Sequence, residues 1–345
     1  MRCPAVRRNG YESYHGRSRG RNALKVLIGV LLVLLVLSVA ALFFLEPYIH
    51  YSADGVRVEL PFFGGGQTEP DSPAVTVPIQ VATPSPTPSP TPEPKTDYRG
   101  VLLPVSTLSD GTAVTQAEAA GATTVLFQMK SIDGTLAFET QSALGTARDT
   151  DGANEAIAQF TAGDVETGAY LSCFRDNALP RTDRSLSVHS SGGNWWDDEA
   201  VRWCSPMSER MRSYVTDLCR ELAALGFDEL VLDNCAFPNR GNTSAILSDD
   251  NYDPAALTET METFFQELDA ALGEYPDVKV SVVTSLTVLT GGSDGSGLTL
   301  DLLKQYADRV FVEVPEGESL PAVEGLEIVP IVTQGTDTGS WALLS

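Results

Sequence analysis

Histidine is almost missing from this chain: among 345 residues there are three, His15, His50 and His189. Only His189 falls in the part that reads as a folded domain, which argues against a zinc hydrolase or a histidine-based triad. Basic residues are scarce everywhere but at the N-terminus. Seven of the 23 lie in the first 25 residues, leaving 16 against 45 acidic residues and a formal charge of −29 for the rest. Phosphate binding needs a cationic surface, so nucleic acid is excluded as a partner. The same charge suits a soluble, self-repelling body outside a cell. Cysteine is sparse too, with five residues (Cys3, Cys173, Cys204, Cys219, Cys235) and no CxxC spacing. Cys173 and Cys235 fall near the ends of two expected strands, so a disulfide between them is one reading; small buried hydrophobes are the other. A His-Glu-x-x-His helix and a Walker loop are both absent, which removes zincins and P-loop enzymes. No metal and no cofactor is expected.

What is present is strongly segmented. Residues 1–22 form a polar, basic tail. The run 23–45 is apolar, with Lys25 its one charge, and a run of roughly 20 such residues spans a bilayer. Lysine and arginine cluster before it, which places the N-terminus in the cytoplasm and the rest outside. Ser38-Val39-Ala40-Ala41 offers small residues for cleavage. The run nevertheless continues through Phe43-Phe44-Leu45, so an uncleaved signal anchor is expected, with the membrane as a partner. Residues 46–66 are a juxtamembrane segment, in which 51–60 reads as two short strands around Asp54-Gly55. Residues 67–96 are a linker. Its stretch from Thr83 to Pro92 alternates proline with serine or threonine, which forms a semi-rigid polyproline II spacer and no core.

From Asp97 onward, short apolar runs alternate with amphipathic ones. The spacing predicts strands over 101–105, 123–129, 168–174, 230–232, 278–283, 310–314, 328–332 and 341–344. Between them it predicts helices over 114–120, 154–160, 207–225, 257–272 and 300–306. Such alternation implies parallel strands with right-handed crossovers. Eight of them over 97–345 suit an α/β fold of the (β/α)8 TIM-barrel type, trimmed at its C-terminal end because the last connections are short. A doubly wound open sheet is the alternative, but no glycine-rich phosphate fingerprint follows the first strand.

In a barrel the site is built from residues just after each strand. Here these are Lys130 and Asp133, Arg175 and Asp176, Asp233 and Asn234, and Glu313. Asp233 ends a strand that Pro238 prevents from continuing; it is either a catalytic carboxylate or the cap of the next turn. Cleavage of a glycosidic bond needs two carboxyl groups, and Asp233 with Glu313 is the best pair. For Glu313 a strand-end carboxylate facing solvent is the competing reading. Lys130 and Asp176 are either substrate-binding groups or an ion pair at the barrel rim. Trp195, Trp196 and Trp203 crowd one long loop, where flat aromatic faces can cover sugar rings or pack a small core of their own.

Four stretches carry a resemblance. They are Gly121 to Lys130 with Asp133-Gly134, Phe174 to Leu179, Trp203-Cys204-Ser205-Pro206, and Gly226-Phe227-Asp228-Glu229 through Asp233 to Phe237-Pro238. Together they resemble the glycoside hydrolases of the α-amylase-like TIM-barrel type found in bacterial envelopes, over roughly residue 98 to the C-terminus. The resemblance implies a glycoside hydrolase barrel, and with the apolar N-terminal run and the strand-end residues the expectation is a membrane-anchored extracellular barrel acting on a polysaccharide. Asp233 and Glu313 are the expected catalytic residues, with Lys130, Asp176, Trp195, Trp196, Trp203 and Asn234 binding the sugar. The chain departs from that family in three places. Its Asp-Tyr-x-Arg-Phe-Pro is Asp233-Asn234-Cys235-Ala236-Phe237-Pro238 here, its strand-five acid has no match in Ser281-Val282-Val283-Thr284, and Val312-Glu313-Val314-Pro315 replaces its Pro-Met-x-Tyr-Pro. A catalytically inactive glycan-binding barrel and a structural envelope ectodomain therefore stand as alternatives.

Overall fold

Residues Leu230, Val231 and Leu232 are wholly buried, yet their neighbours on either side are carboxylates. A strand with two apolar faces and acidic ends belongs inside a parallel sheet covered by helices. The computed structural model describes residues 49–52, 55–58, 97–144, 146–147, 150–315 and 317–344. In it, Glu229–Asp233 is the fourth of eight parallel strands: β1 Arg99–Leu103, β2 Thr124–Lys130, β3 Glu166–Ser172, β4 Glu229–Asp233, β5 Lys279–Thr284, β6 Arg309–Glu313, β7 Glu327–Ile331 and β8 Trp341–Leu343. Each pairs with the next, and β8 pairs with β1, so the ring closes. Every strand lies within two residues of its expected position. The barrel reading therefore holds, and the open-sheet alternative does not.

Among the described residues, five helices of more than one and a half turns pack outside: α1 Ala113–Ala120, α2 Ala153–Thr161, α3 Glu209–Ala224, α4 Leu257–Ala271 and α5 Leu300–Tyr306. The long α3 stops where Gly226 takes a left-handed conformation (φ +91°) one residue past its cap, a stop that glycine accepts at no steric cost. Among the described residues no helix follows β6 or β7, so the barrel is trimmed at its C-terminal end. The four cysteines of the barrel are free and buried, Cys173 and Cys235 included; they pack as small hydrophobes.

Side chains along each strand alternate between two cores. One core fills the space between strands and helices. The other lies inside the ring and is made by Tyr98, Leu126, Tyr170, Val231, Phe311, Val329 and Ala342. Below that inner layer sits a buried ionic floor. Arg309 donates to Glu229 at 2.5 Å and to Glu327 at 3.0 Å, and its guanidinium lies 3.8 Å from the Tyr98 ring centroid. The Tyr98 hydroxyl donates to Glu229 at 2.9 Å, and the Ser281 hydroxyl also bonds that carboxylate.

Residues Ile49–Ser52 and Gly55–Val58 pair antiparallel as a short hairpin, two residues earlier than expected at its start. The expected basic tail, apolar span and proline-rich linker lie outside the described residues, and among those described no helix is long and apolar enough to cross a membrane.

The ionic floor is a stability element. Truncating Glu229 leaves the Arg309 guanidinium buried and without its principal counter-ion, which typically costs about 3–5 kcal/mol. Urea unfolding of Glu229→Ala should show a loss of that size; a loss below about 1 kcal/mol would contradict the assignment.

Candidate active site at the barrel mouth

The period of two that places Glu229 at the floor places Asp233 at the opposite end of β4, on the same inner face. On β6 the same count runs Arg309, Phe311, Glu313. The register pairs Asp233 with Ser172 and Glu313 with Ile331. Asp233, Val283, Glu313 and Ile331 accordingly all border one cleft of about 570 Å³ at the C-terminal ends of the strands. Both members of the expected pair thus border one cavity. Glu313, although exposed, faces the mouth of the ring rather than its outer wall.

Asp233 is held firmly. The Tyr170 hydroxyl donates to its Oδ2 at 2.7 Å, and the backbone N–H of Asn234 donates to Oδ1 at 2.7 Å. Asn234 has φ +49°, a left-handed conformation uncommon outside glycine and best tolerated by asparagine. That turn swings the chain away immediately after the carboxylate; such strained positions cluster at functional sites. The Asn234 side chain reaches back to Ser172 at 3.3 Å. Removal from water pushes the Asp233 carboxyl above its ordinary range, with the Tyr170 and Asn234 bonds and the charges of Arg175 and Arg240 pulling the other way. Burial and then the Asp233 charge push the Tyr170 phenol well up, so it stays a donor.

Two further groups border the cleft, one at the end of β5 and one in the loop after it, and no local sequence pattern marks either of them. Asp294 folds back onto the strand end, accepting from Ser285 at 2.7 Å, Asn239 at 2.9 Å and Ser296 at 2.6 Å and 3.0 Å. Burial raises its affinity for a proton, but these bonds outweigh it and hold the carboxyl below the usual range. A carboxylate is therefore present beside strand five, ten residues beyond Thr284. Thr284 also lines the cleft, and its buried hydroxyl has no hydrogen-bond partner among the described residues. Gly291-Gly292-Ser293-Asp294-Gly295 has the Gly-x-Ser-x-Gly spacing of a nucleophile elbow, but it is a loop with no strand leading into it. His189 bonds Asp249 and the Arg184 carbonyl instead of serving such a serine.

Among the described residues, the one cation that lines the cleft is Arg240. It donates to Asp198 at 2.9 Å and Glu199 at 2.6 Å. Glu199 also accepts from Arg175 at 2.6 Å, and Arg175 donates to Asp197 at 2.7 Å. Asp197 takes the indole N–H of Trp203 at 3.1 Å. This chain of charges fixes both Arg240 and Trp203 at the cleft edge.

Other expected site residues sit elsewhere. Lys130 and Asp176 form a wholly buried ion pair at 2.9 Å, with Lys130 also donating to the Ser172 carbonyl and Asp176 capping the next turn through Ala178 and Leu179. Neither lines the cleft, so they support the barrel wall and do not touch a ligand there. Of the three tryptophans only Trp203 borders the cavity. Trp195 is buried with its N–H on the Asn242 carbonyl, and Trp196 is 53% exposed outside the cleft. The loop folds on itself, because burying Trp195 and Trp203 in its own core removes more apolar surface from water than presenting them would.

Residues 109–309, more than half of the chain, match the family described as "Putative glycosyl hydrolase domain". The chain belongs to this glycosyl hydrolase family. Several solved structures are similar to the chain at low identity. A hypothetical protein from Ruminiclostridium thermocellum is 21% identical over 53% of this chain and 96% of its own, with a TM-score of 0.44. The glycoside hydrolase domain of PelA from Pseudomonas aeruginosa is 13% identical over 68% of this chain and 83% of its own, TM-score 0.40. An α-galactosidase from Thermus thermophilus is 14% identical over 62% of this chain, which spans 41% of that enzyme, TM-score 0.39. No curated protein matches the chain.

Two outcomes follow for this member of the family. Asp233 binds its proton more tightly folded than unfolded, so it adds stability at low pH that is lost as pH rises through its folded pKa. Removing the Tyr170 hydroxyl takes away a bond to the ionised form. In Tyr170→Phe the Asp233 midpoint, read by carboxyl carbon NMR, should therefore move further up; an unchanged or lower midpoint contradicts the geometry. Lys130→Met should destabilise the fold by about 3–5 kcal/mol by stranding Asp176 while leaving ligand affinity at the cleft unchanged, as calorimetry can check.

Proposed function

We propose that the barrel hydrolyses glycosidic bonds in a polysaccharide. The observation that carries the reading is the meeting of Asp233 and Glu313 on the inner face of one cleft at the strands' C-terminal ends. Glu313, open to solvent, gives a proton to the leaving glycosidic oxygen as the bond to the anomeric carbon breaks. Asp233, fixed by Tyr170 and Asn234, attacks that carbon or stabilises its developing positive charge, and water completes the cleavage. Trp203 borders the path of the sugar, and the unpartnered Thr284 hydroxyl suits a ligand hydroxyl. We further propose that residues 23–45 anchor the protein, with residues 67–96 as spacer and the barrel outside the cell.

The exposure of Glu313 favours a second reading, because a general acid is usually kept protonated by burial. On that reading the barrel holds glycan without cutting it. The test is a hydrolysis and binding screen of the full chain against a panel of polysaccharides. Wild type should release reducing ends, and Asp233→Asn and Glu313→Gln should each lose roughly 100-fold or more of that rate while still binding. Binding without turnover in wild type would replace cleavage with glycan retention.

A further inference from the structure

The charges that border the cleft are unequally satisfied. Arg240 is clasped by two carboxylates, Asp198 and Glu199. The four lining carboxylates, Asp233, Asp294, Glu313 and Glu318, form no ion pair with a cation among the described residues, although the fields of Arg175 and Arg240 reach Asp233. Asp233 and Asp294 are held by neutral donors only, and Glu313 and Glu318 are exposed at the rim. Among the described residues, every charge that the cavity leaves without an ion pair is therefore negative. The surroundings do not offset this: from residue 97 onward the chain has 14 basic and 39 acidic residues. Low-dielectric walls concentrate such a field inside a cleft.

From this we infer that the cleft selects a cationic glycan, one whose sugars carry free amino groups, over neutral N-acetylated or anionic uronate chains. The inference rests on the glycan reading above and narrows it. A uronate carboxylate would need an uncommitted guanidinium or ammonium here, and Arg240 is already bound twice. A protonated amine finds carboxylates at the rim that it can pair without displacing any partner. The unpartnered Thr284 hydroxyl and the Trp203 edge serve the neutral parts of the same ring.

The experiment measures calorimetric affinity of the full chain for tetramers of glucosamine, of N-acetylglucosamine and of galacturonic acid. The glucosamine tetramer should bind at least about tenfold more tightly than the N-acetylated one. That margin should shrink between about 0.05 M and about 0.5 M salt, as the screening length falls severalfold. Galacturonate should bind weakest. The double variant Glu313→Gln with Glu318→Gln, both exposed and so not expected to unfold the barrel, should lose most of the preference and retain binding of the N-acetylated tetramer. Equal or tighter binding of the N-acetylated or uronate tetramer overturns the inference and leaves the glycan reading standing. A preference undiminished in the double variant also overturns it, since general surface charge would then be the cause. Binding of none of the three, in a protein that binds some other glycan, overturns the inference alone; binding of no glycan overturns both.

Discussion

Closing eight parallel strands into a ring forces every second side chain inward, and the rest of this structure depends on that constraint. A strand of β4's length has three inward positions. The first, Glu229, lies deep in the barrel and is tolerable only because Arg309, Tyr98 and Ser281 converge on it. The second, Val231, joins the dry inner layer. The third, Asp233, emerges at the mouth. The same sequence period therefore makes one carboxylate a structural plug and another a candidate for chemistry, four residues apart. What separates their roles is the partner set: an ion pair below, neutral donors above.

The mouth is organised by contacts that limit movement of the groups facing the cleft. Tyr170 projects from the neighbouring strand to hold Asp233, and Asn234 turns sharply so that its own N–H completes the clasp. On one side, the relay from Trp203 through Asp197, Arg175 and Glu199 ends at Arg240. On the other, Asp294 draws the loop after β5 onto Ser285 and Asn239. Groups set in this way need little reorganisation when a ligand arrives, which is the property that makes fixed polar groups effective in a site. Glu313 is the exception, exposed and without a cationic partner among the described residues, and it is the side chain on which the balance between cutting and holding turns.

Much of this was legible in the sequence. The eight apolar runs are short, amphipathic segments join the first six in succession, and each run forms a strand within two residues of its expected place. Asp233 was legible because an apolar run ended on it and Pro238 lay beyond. Glu313 was legible through its strand-end position. Other features were not, for physical reasons. Lys130 and Asp176 follow strands as ligand-binding groups would, but pairing with each other in the wall relieves two desolvation costs at once. The tryptophan cluster looked like a sugar platform, yet two of its rings are worth more to the loop's own core. Tyr170 was hidden inside a strand, where an inward tyrosine is indistinguishable from core until its hydroxyl finds a partner. Asp294 lies in a glycine-rich loop whose return to the strand end no local period encodes.

A crystal structure with a bound oligosaccharide tests the account most directly. The account predicts sugar density in the cleft bordered by Asp233, Trp203, Thr284 and Glu313, with the scissile linkage between the two carboxyl groups. Density confined to the exposed Trp196 face, or to any surface away from the strands' C-terminal ends, would contradict it.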